Sequence, residues 1–185
     1  MEWTIPGTVL SATLFESEQA REKLEGMFLG GGVVLSQVAA ITGLEPYTIQ
    51  NWVKRGFLSN PIGKKYTLRQ LCRILNINML KDALRMEEIC GLMTYLNGHL
   101  DDESDDLIDD SQLYFLFLRL AAHHRQLNDA AGREKILEQE LENYQEPVPG
   151  ARQRVEKVLR VMLTAWAAST LRQHAMCMVE ELKQE

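Results

Sequence analysis

Several clusters in this sequence carry residues that could do chemistry. Seven carboxylates crowd into residues 99–110, at Asp101, Asp102, Glu103, Asp105, Asp106, Asp109 and Asp110, and hard cations favour such oxygens. The spacing fails, because an EF-hand loop opening at Asp101 needs glycine where Asp106 stands and glutamate where Gln112 stands. The run reads instead as a solvated linker whose last acids, Asp109 and Asp110, lie near the positive N-terminus of the next helix. His123 and His124 are adjacent, so on a helix they diverge and do not share one metal. His174 and Cys177 could present two ligands on one helix face, but no third or fourth accompanies them. Gly30-Gly31-Gly32 lacks the Lys-Ser/Thr of a phosphate loop and reads as a hinge. No serine, histidine and aspartate fall in a recognisable catalytic frame. The expectations are no catalysis, no metal and no cofactor.

One polar cluster survives this test. Tyr47, Thr48, Gln50, Asn51, Lys54 and Arg55 fall within one short segment, and Lys64 and Lys65 follow one turn later. Asn and Gln pair with adenine edges, while Lys and Arg meet guanine or phosphate. If Ile49, Trp52 and Val53 point inward, a helical wheel puts Tyr47, Asn51 and Lys54 on the opposite side, flanked by Gln50 and Arg55. An ordinary solvated helix face carries the same residue types, so the wheel alone decides nothing. Charge distribution adds weight. The whole chain has a formal net charge of -6, yet Val33 to Gly98 holds eight Lys and Arg against four Asp and Glu. A locally basic segment is what a phosphate-facing surface requires.

The elements that must position this cluster are legible as punctuation. Ser17 can cap a helix carrying Ala20, Leu24, Met27 and Phe28. Ser36 can cap a helix with Val38, Ala39 and Ile41, stopped by Gly43 at a left-handed position. Pro46 suits the first position of a second helix, which Gly56 ends. Residues 59–63 read as a turn and Lys64-Lys65-Tyr66 as the return arm of a hairpin or wing. Thr67 and Gln70 form a capping box for a helix carrying Leu68, Leu71, Cys72, Leu75 and Met79. A further helix starts near Arg85 and ends at Asn97-Gly98. Beyond the acids, Leu113 to Leu120 is apolar almost all round, which predicts a central buried helix. Ile136, Leu137, Leu141 and Tyr144 mark a one-faced helix, cut by the Pro147–Gly150 stretch. The last helix runs from about Arg152 to Lys183, with a middle that demands a cover.

Leu35 to Ala39, Gly43-Leu44, Thr48-Ile49, Lys54 to Leu58 and Lys64 to Thr67 resemble the DNA-binding domain of MerR-type regulators, over about a third of the chain. Where that family has Arg-Tyr-Tyr-Glu in its second helix, this chain has Gln50-Asn51-Trp52-Val53. Its wing motif Gly-Tyr-Arg-x-Tyr is here Ile62 to Tyr66. Ile49 to Gly56, the Lys64–Thr67 arm and the Asn97-Gly98 ending are also similar to a bacterial family called domain of unknown function 1836, from about Val33 to Ala122. The MerR resemblance implies a winged helix-turn-helix, major-groove readout and a dimer, with the long C-terminal helix as the dimerisation element.

With 185 residues and 45% hydrophobic content, the chain can bury a sizeable core. No basic leader opens it, no apolar stretch reaches the roughly 20 residues of a membrane span, and its three cysteines are odd in number and widely spaced. A cytoplasmic protein with reduced thiols, off the membrane, is expected. The expected organisation is mainly α. It comprises an N-terminal helix and hinge (1–32), a MerR-like winged helix-turn-helix (33–98), an acidic linker (99–110) and a helical dimerisation or effector domain (111–185). The expected partners are double-stranded DNA and a second copy. The rival expectation is an adaptor that uses the same fold to bind protein.

Overall fold

The computed structural model describes residues 2–13, 17–100, 102–123 and 130–183. The side chain of Ser17, Asp101 and His124 lie outside the described residues. The chain is mainly helical, with two two-stranded antiparallel sheets among the described residues. Helices α1 (Ser17–Gly26), α2 (Leu35–Thr42), α3 (Pro46–Lys54), α4 (Leu68–Leu80), α5 (Met86–Asn97), α6 (Asp110–Ala122), α7 (Ala130–Glu140) and α8 (Ala151–Leu182) follow in order. Strands β1 (Glu2–Thr4) and β2 (Ser11–Thr13) precede α1; β3 (Val33–Val34) leads into α2, and β4 (Lys65–Tyr66) returns to pair with it.

Helices α4 and α6 form the centre, packed on one another and buried on most faces. The apolar run from Leu113 to Leu118 is buried throughout, as its lack of a polar face requires. Helices α1, α2, α5, α7 and α8 surround this pair. Ile136, Leu137 and Leu141 dock α7 on α6, and Arg119 Nε pairs with Glu140 at 2.6 Å. The predicted Thr67/Gln70 capping box forms, with Gln70 N donating to Thr67 Oγ1 at 3.2 Å and Thr67 N to Gln70 Oε1 at 3.0 Å.

Three features differ from the sequence expectations. The first residues form the β1–β2 hairpin, which helical periodicity does not register. Its turn carries Pro6 and Gly7, and the Tyr114 hydroxyl donates to the Pro6 carbonyl at 2.7 Å. Gly7 has φ 77°, and a Cβ there would lie 2.6 Å from the Leu75 carbonyl oxygen, so only glycine fits. Second, Ser36 does not cap α2. The chain enters that helix straight from β3, and Gln37 Oε1 accepts the Val34 N–H at 2.9 Å instead.

Third, the acidic segment is not a solvated linker along its whole length. Residues 102–105 are exposed, but Leu107, Ile108 and Asp110 are buried. Asp110 meets Arg73 at 3.3 Å, and Arg69 reaches Asp106 at 2.6 Å and Glu103 at 3.0 Å. Asp109 caps α6, accepting from Ser111 N at 2.8 Å. The physical reason is that α4 carries Arg69 and Arg73 on a face otherwise closed by apolar packing, and their charges need partners there.

Candidate nucleic-acid interface

Helices α2 and α3 meet at a tight turn. Gly43 ends α2 at φ 70° and donates its N–H to the Ala39 carbonyl at 2.8 Å. A Cβ on Gly43 would come within 2.6 Å of Val9 Cγ1, so the turn is closed to side chains by the N-terminal hairpin as well as by its dihedral. Pro46 takes the first position of α3, where no amide hydrogen is needed. Ile49 is fully buried and Trp52 is 5% exposed. Those two side chains fix which face of α3 points outward.

The outward face consists of Tyr47, Gln50 and Lys54, at positions i, i+3 and i+7, all exposed, with Tyr47 at 76%. Thr48 and Asn51 are half-buried. Gln50 and Asn51 thus exchange the places that the wheel gave them, because Val53 is only half-buried and the inward face centres on Ile49 and Trp52. Arg55 remains exposed but is engaged: its guanidinium stacks 4.5 Å from the Phe57 ring centroid and lies 3.7 Å from a Glu87 carboxylate oxygen.

Beyond α3 the chain turns back at Ile62–Lys65, where Lys65 N donates to the Ile62 carbonyl at 2.9 Å. Gly63 has φ 56° and Lys64 φ 65°. Two successive left-handed residues make a primed hairpin turn, in which Asn, Asp or Gly is the favoured occupant. Lys64 is the one non-glycine residue with positive φ among the described residues, and a side chain there costs about 1 kcal/mol or more. Strain of this kind gathers at functional positions. Lys64 projects into solvent at the turn, while Lys65 pairs through the β3–β4 register and its Nζ reaches the Gly30 carbonyl at 3.4 Å. Ile62, beside them, is exposed as well; nothing in the hydrophobic pattern marked it as part of this surface.

Two of the segment's eight basic residues are unavailable to a ligand. Arg73 is buried, and Arg69 lies among Glu103, Asp106, Asp109 and Asp110. Of the six that remain, Lys54, Arg55, Lys64 and Lys65 lie on α3 and the turn after it, and Lys81 and Arg85 are exposed further along the chain. Lys54 and Lys64 make no ion pair among the described residues. Helix α8 packs on α4, α5 and α6, which leaves the Tyr47–Lys54 face open to solvent.

His174 and Cys177 are both exposed on α8, and among the described residues no three ligating side chains converge. No helix of the described residues is long and apolar enough to cross a membrane.

Residues 34–117 match the family model described as "Domain of unknown function (DUF1836)". That span takes in α2 to α5, the acidic segment and half of α6, so it runs across the boundary expected at residue 98. The uncharacterized protein YkrK of Bacillus subtilis (strain 168) is 30% identical over 134 residues, covering 68% of this chain and 58% of the relative. The chain thus spans just over half the length of that relative. No solved structure matches.

Proposed function

We propose that the chain is a sequence-specific DNA-binding regulator of transcription, with residues 33–98 acting as a MerR-like winged helix-turn-helix. In this reading α3 enters the major groove, the Gly63-Lys64 turn is the wing, and β3 braces the wing through β4. Gln50 and Asn51 address base edges, and Lys54, Lys64 and Lys65 meet phosphates. Tyr47 and Thr48 sit at the N-terminal end of α3, where recognition helices contact DNA. The observation that carries the reading is the lysine in the left-handed turn position. It stands without an acidic partner among the described residues, one short turn from an outward polar helix face, where asparagine or glycine would be cheaper.

A homodimer supports two such helices on one face of a duplex. Along α8 the exposed residues Ala168, Leu171, Ala175, Met178 and Leu182 recur at alternating spacings of three and four, the seam of a coiled coil. They lie opposite the row Val155, Leu159, Met162 that docks α8 on the body. The row Leu171, Ala175, Met178, Leu182 has the same spacing read from either end. A second copy running antiparallel therefore matches it and brings His174 toward Glu181 of that copy.

The test is selection from random duplex DNA, followed by salt titration of the enriched fragment. Log K should fall linearly with log salt, and Lys54→Ala and Lys64→Ala should each flatten the slope by about one. Absence of enrichment, or binding without a salt slope, favours the protein-binding adaptor.

A further inference from the structure

A cavity of about 520 Å³ opens between the Pro6-Gly7 turn, the α2–α3 turn, the end of α4 and the middle of α8. Its volume lies within the roughly 300–1,000 Å³ of small-molecule sites. Ile5, Leu44, Met79 and Trp166 supply an apolar wall, and α8 adds Ser169 and Gln173. Lys81 and Asp82 both line it and are exposed, so their charges cancel and the wall carries no net charge.

Ser169 gives this cavity an unpaired buried hydroxyl. The residue is 6% exposed, and its Oγ has no hydrogen-bond partner among the described residues. Other hydroxyls of α8 solve the same problem locally: Thr164 and Thr170 donate to the carbonyls four residues back, at 2.8 and 2.9 Å. A buried hydroxyl left unpaired loses its hydration for nothing, and an acceptor brought to this wall would recover that loss. The opposite wall is held in place for such a partner. Asn78 Nδ2 donates to the carbonyls of Gly7 and Thr42, at 2.8 and 3.0 Å, tying the hairpin turn to the end of α2.

We propose that this cavity binds an uncharged amphipathic small molecule, with its apolar body against Trp166, Met79 and Leu44 and a hydrogen-bonding group on Ser169. An ion would exchange water for a wall of zero net charge, which is unfavourable. The molecule would span α8 and the α2–α3 turn, so occupancy stiffens the joint that aims α3. Binding itself stands apart from the DNA reading; only the name effector rests on it.

The probe is 6-propionyl-2-dimethylaminonaphthalene, an uncharged fluorophore with an apolar ring body and a carbonyl acceptor, titrated into the full chain without DNA. It should bind once per chain, with blue-shifted emission and energy transfer from Trp166. Ser169→Ala should weaken binding by about five- to tenfold while leaving the thermal midpoint equal or higher, since it deletes an unpaired buried hydroxyl. Thr170→Trp, at an exposed lining position, should abolish binding with an unchanged circular dichroism spectrum. Exchange of the Gly43 and Leu44 amides should slow on occupancy. No saturable binding overturns the proposal. So does binding that neither variant weakens, which would put the probe on the exposed apolar end of α8. Probe binding that survives while selected DNA shows no salt-dependent binding would sink the regulatory reading alone.

Discussion

Replacing Asp110 by alanine isolates the energetics of the acidic segment. The Asp110 and Arg73 side chains are 2% and 9% exposed and 3.3 Å apart. At that separation, with an effective dielectric constant near 20, their attraction is about 5 kcal/mol. Desolvation costs several kcal/mol for each ion, so the pair as a whole contributes little over a well-packed apolar pair. Breaking it is another matter. In Asp110→Ala, Arg73 retains only the Phe57 carbonyl at 3.0 Å and stays buried as an uncompensated cation, at a cost of about 3–5 kcal/mol. For a chain of this size the thermal midpoint should fall by roughly 6–20 °C. Arg73→Met should cost less, because Asp110 keeps Arg69 at 3.7 Å. The double variant Arg73→Met/Asp110→Ala should cost clearly less than the two single costs added together. Urea unfolding followed by circular dichroism completes the cycle. A cost below about 1 kcal/mol for Asp110→Ala, or strictly additive costs in the double variant, would refute the claim that these acids belong to the core.

Burial raises the Asp110 carboxyl from its ordinary value, against the pull of Arg73 and Arg69, and Asp106 behaves alike. A raised folded pKa means that the folded chain binds the proton more tightly than the unfolded chain. The contribution is thus full below the unfolded value and lost as pH rises through the folded one. Native stability relative to Asp110→Asn should therefore grow as pH falls toward the ordinary carboxylate value of about 4; a relative decline in urea midpoint on that approach contradicts it. Lys64→Asn should raise stability by about 0.5–1 kcal/mol, since asparagine tolerates the left-handed turn, while flattening the salt slope of DNA binding by about one. A change in the first without the second separates strain from function. Gly43→Ala should cost about 1–3 kcal/mol, from positive φ plus the clash with Val9. In a Val9→Ala background the cost should drop toward about 1 kcal/mol, and an equal cost in both backgrounds would discard the clash. Leu171→Glu/Met178→Glu should yield a monomer by light scattering at micromolar concentration; a wild-type monomer there would remove the dimer.

Where one local rule acts alone, residues announced their roles. Gly43 at a helix end, Pro46 at a helix start and Thr67 with Gln70 each satisfy backbone groups within a few positions, so the borders of α3 and α4 and the start of the turn before α3 were readable. The unbroken apolar run Leu113–Leu118 could only be interior. The candidate interface was legible in its types, but Gln50 and Asn51 exchanged places because a 100° wheel cannot say how far the inward face rotates once Trp52 finds its pocket. The β1–β2 hairpin was not legible, since its strands of three residues are too short for a period and Pro6-Gly7 is held by Tyr114 and Leu75, far along the chain.

Composition and spacing alone determined that the chain is mainly helical and has a basic segment beside an acidic one, because propensity, capping and charge count are properties of neighbours. Tertiary structure alone decided which charges meet. Residues 106–110 fold onto Arg69 and Arg73, 37 positions away in each hydrogen-bonded pair, and cancel them there. The lysines at 54 and 64 keep their charge in solvent because no acid among the described residues folds back that far. Ser169 tells the same story for the interior: as a letter it is an ordinary helical serine, and only the packing of α8 beside the Asn78 staple leaves its hydroxyl unpaired.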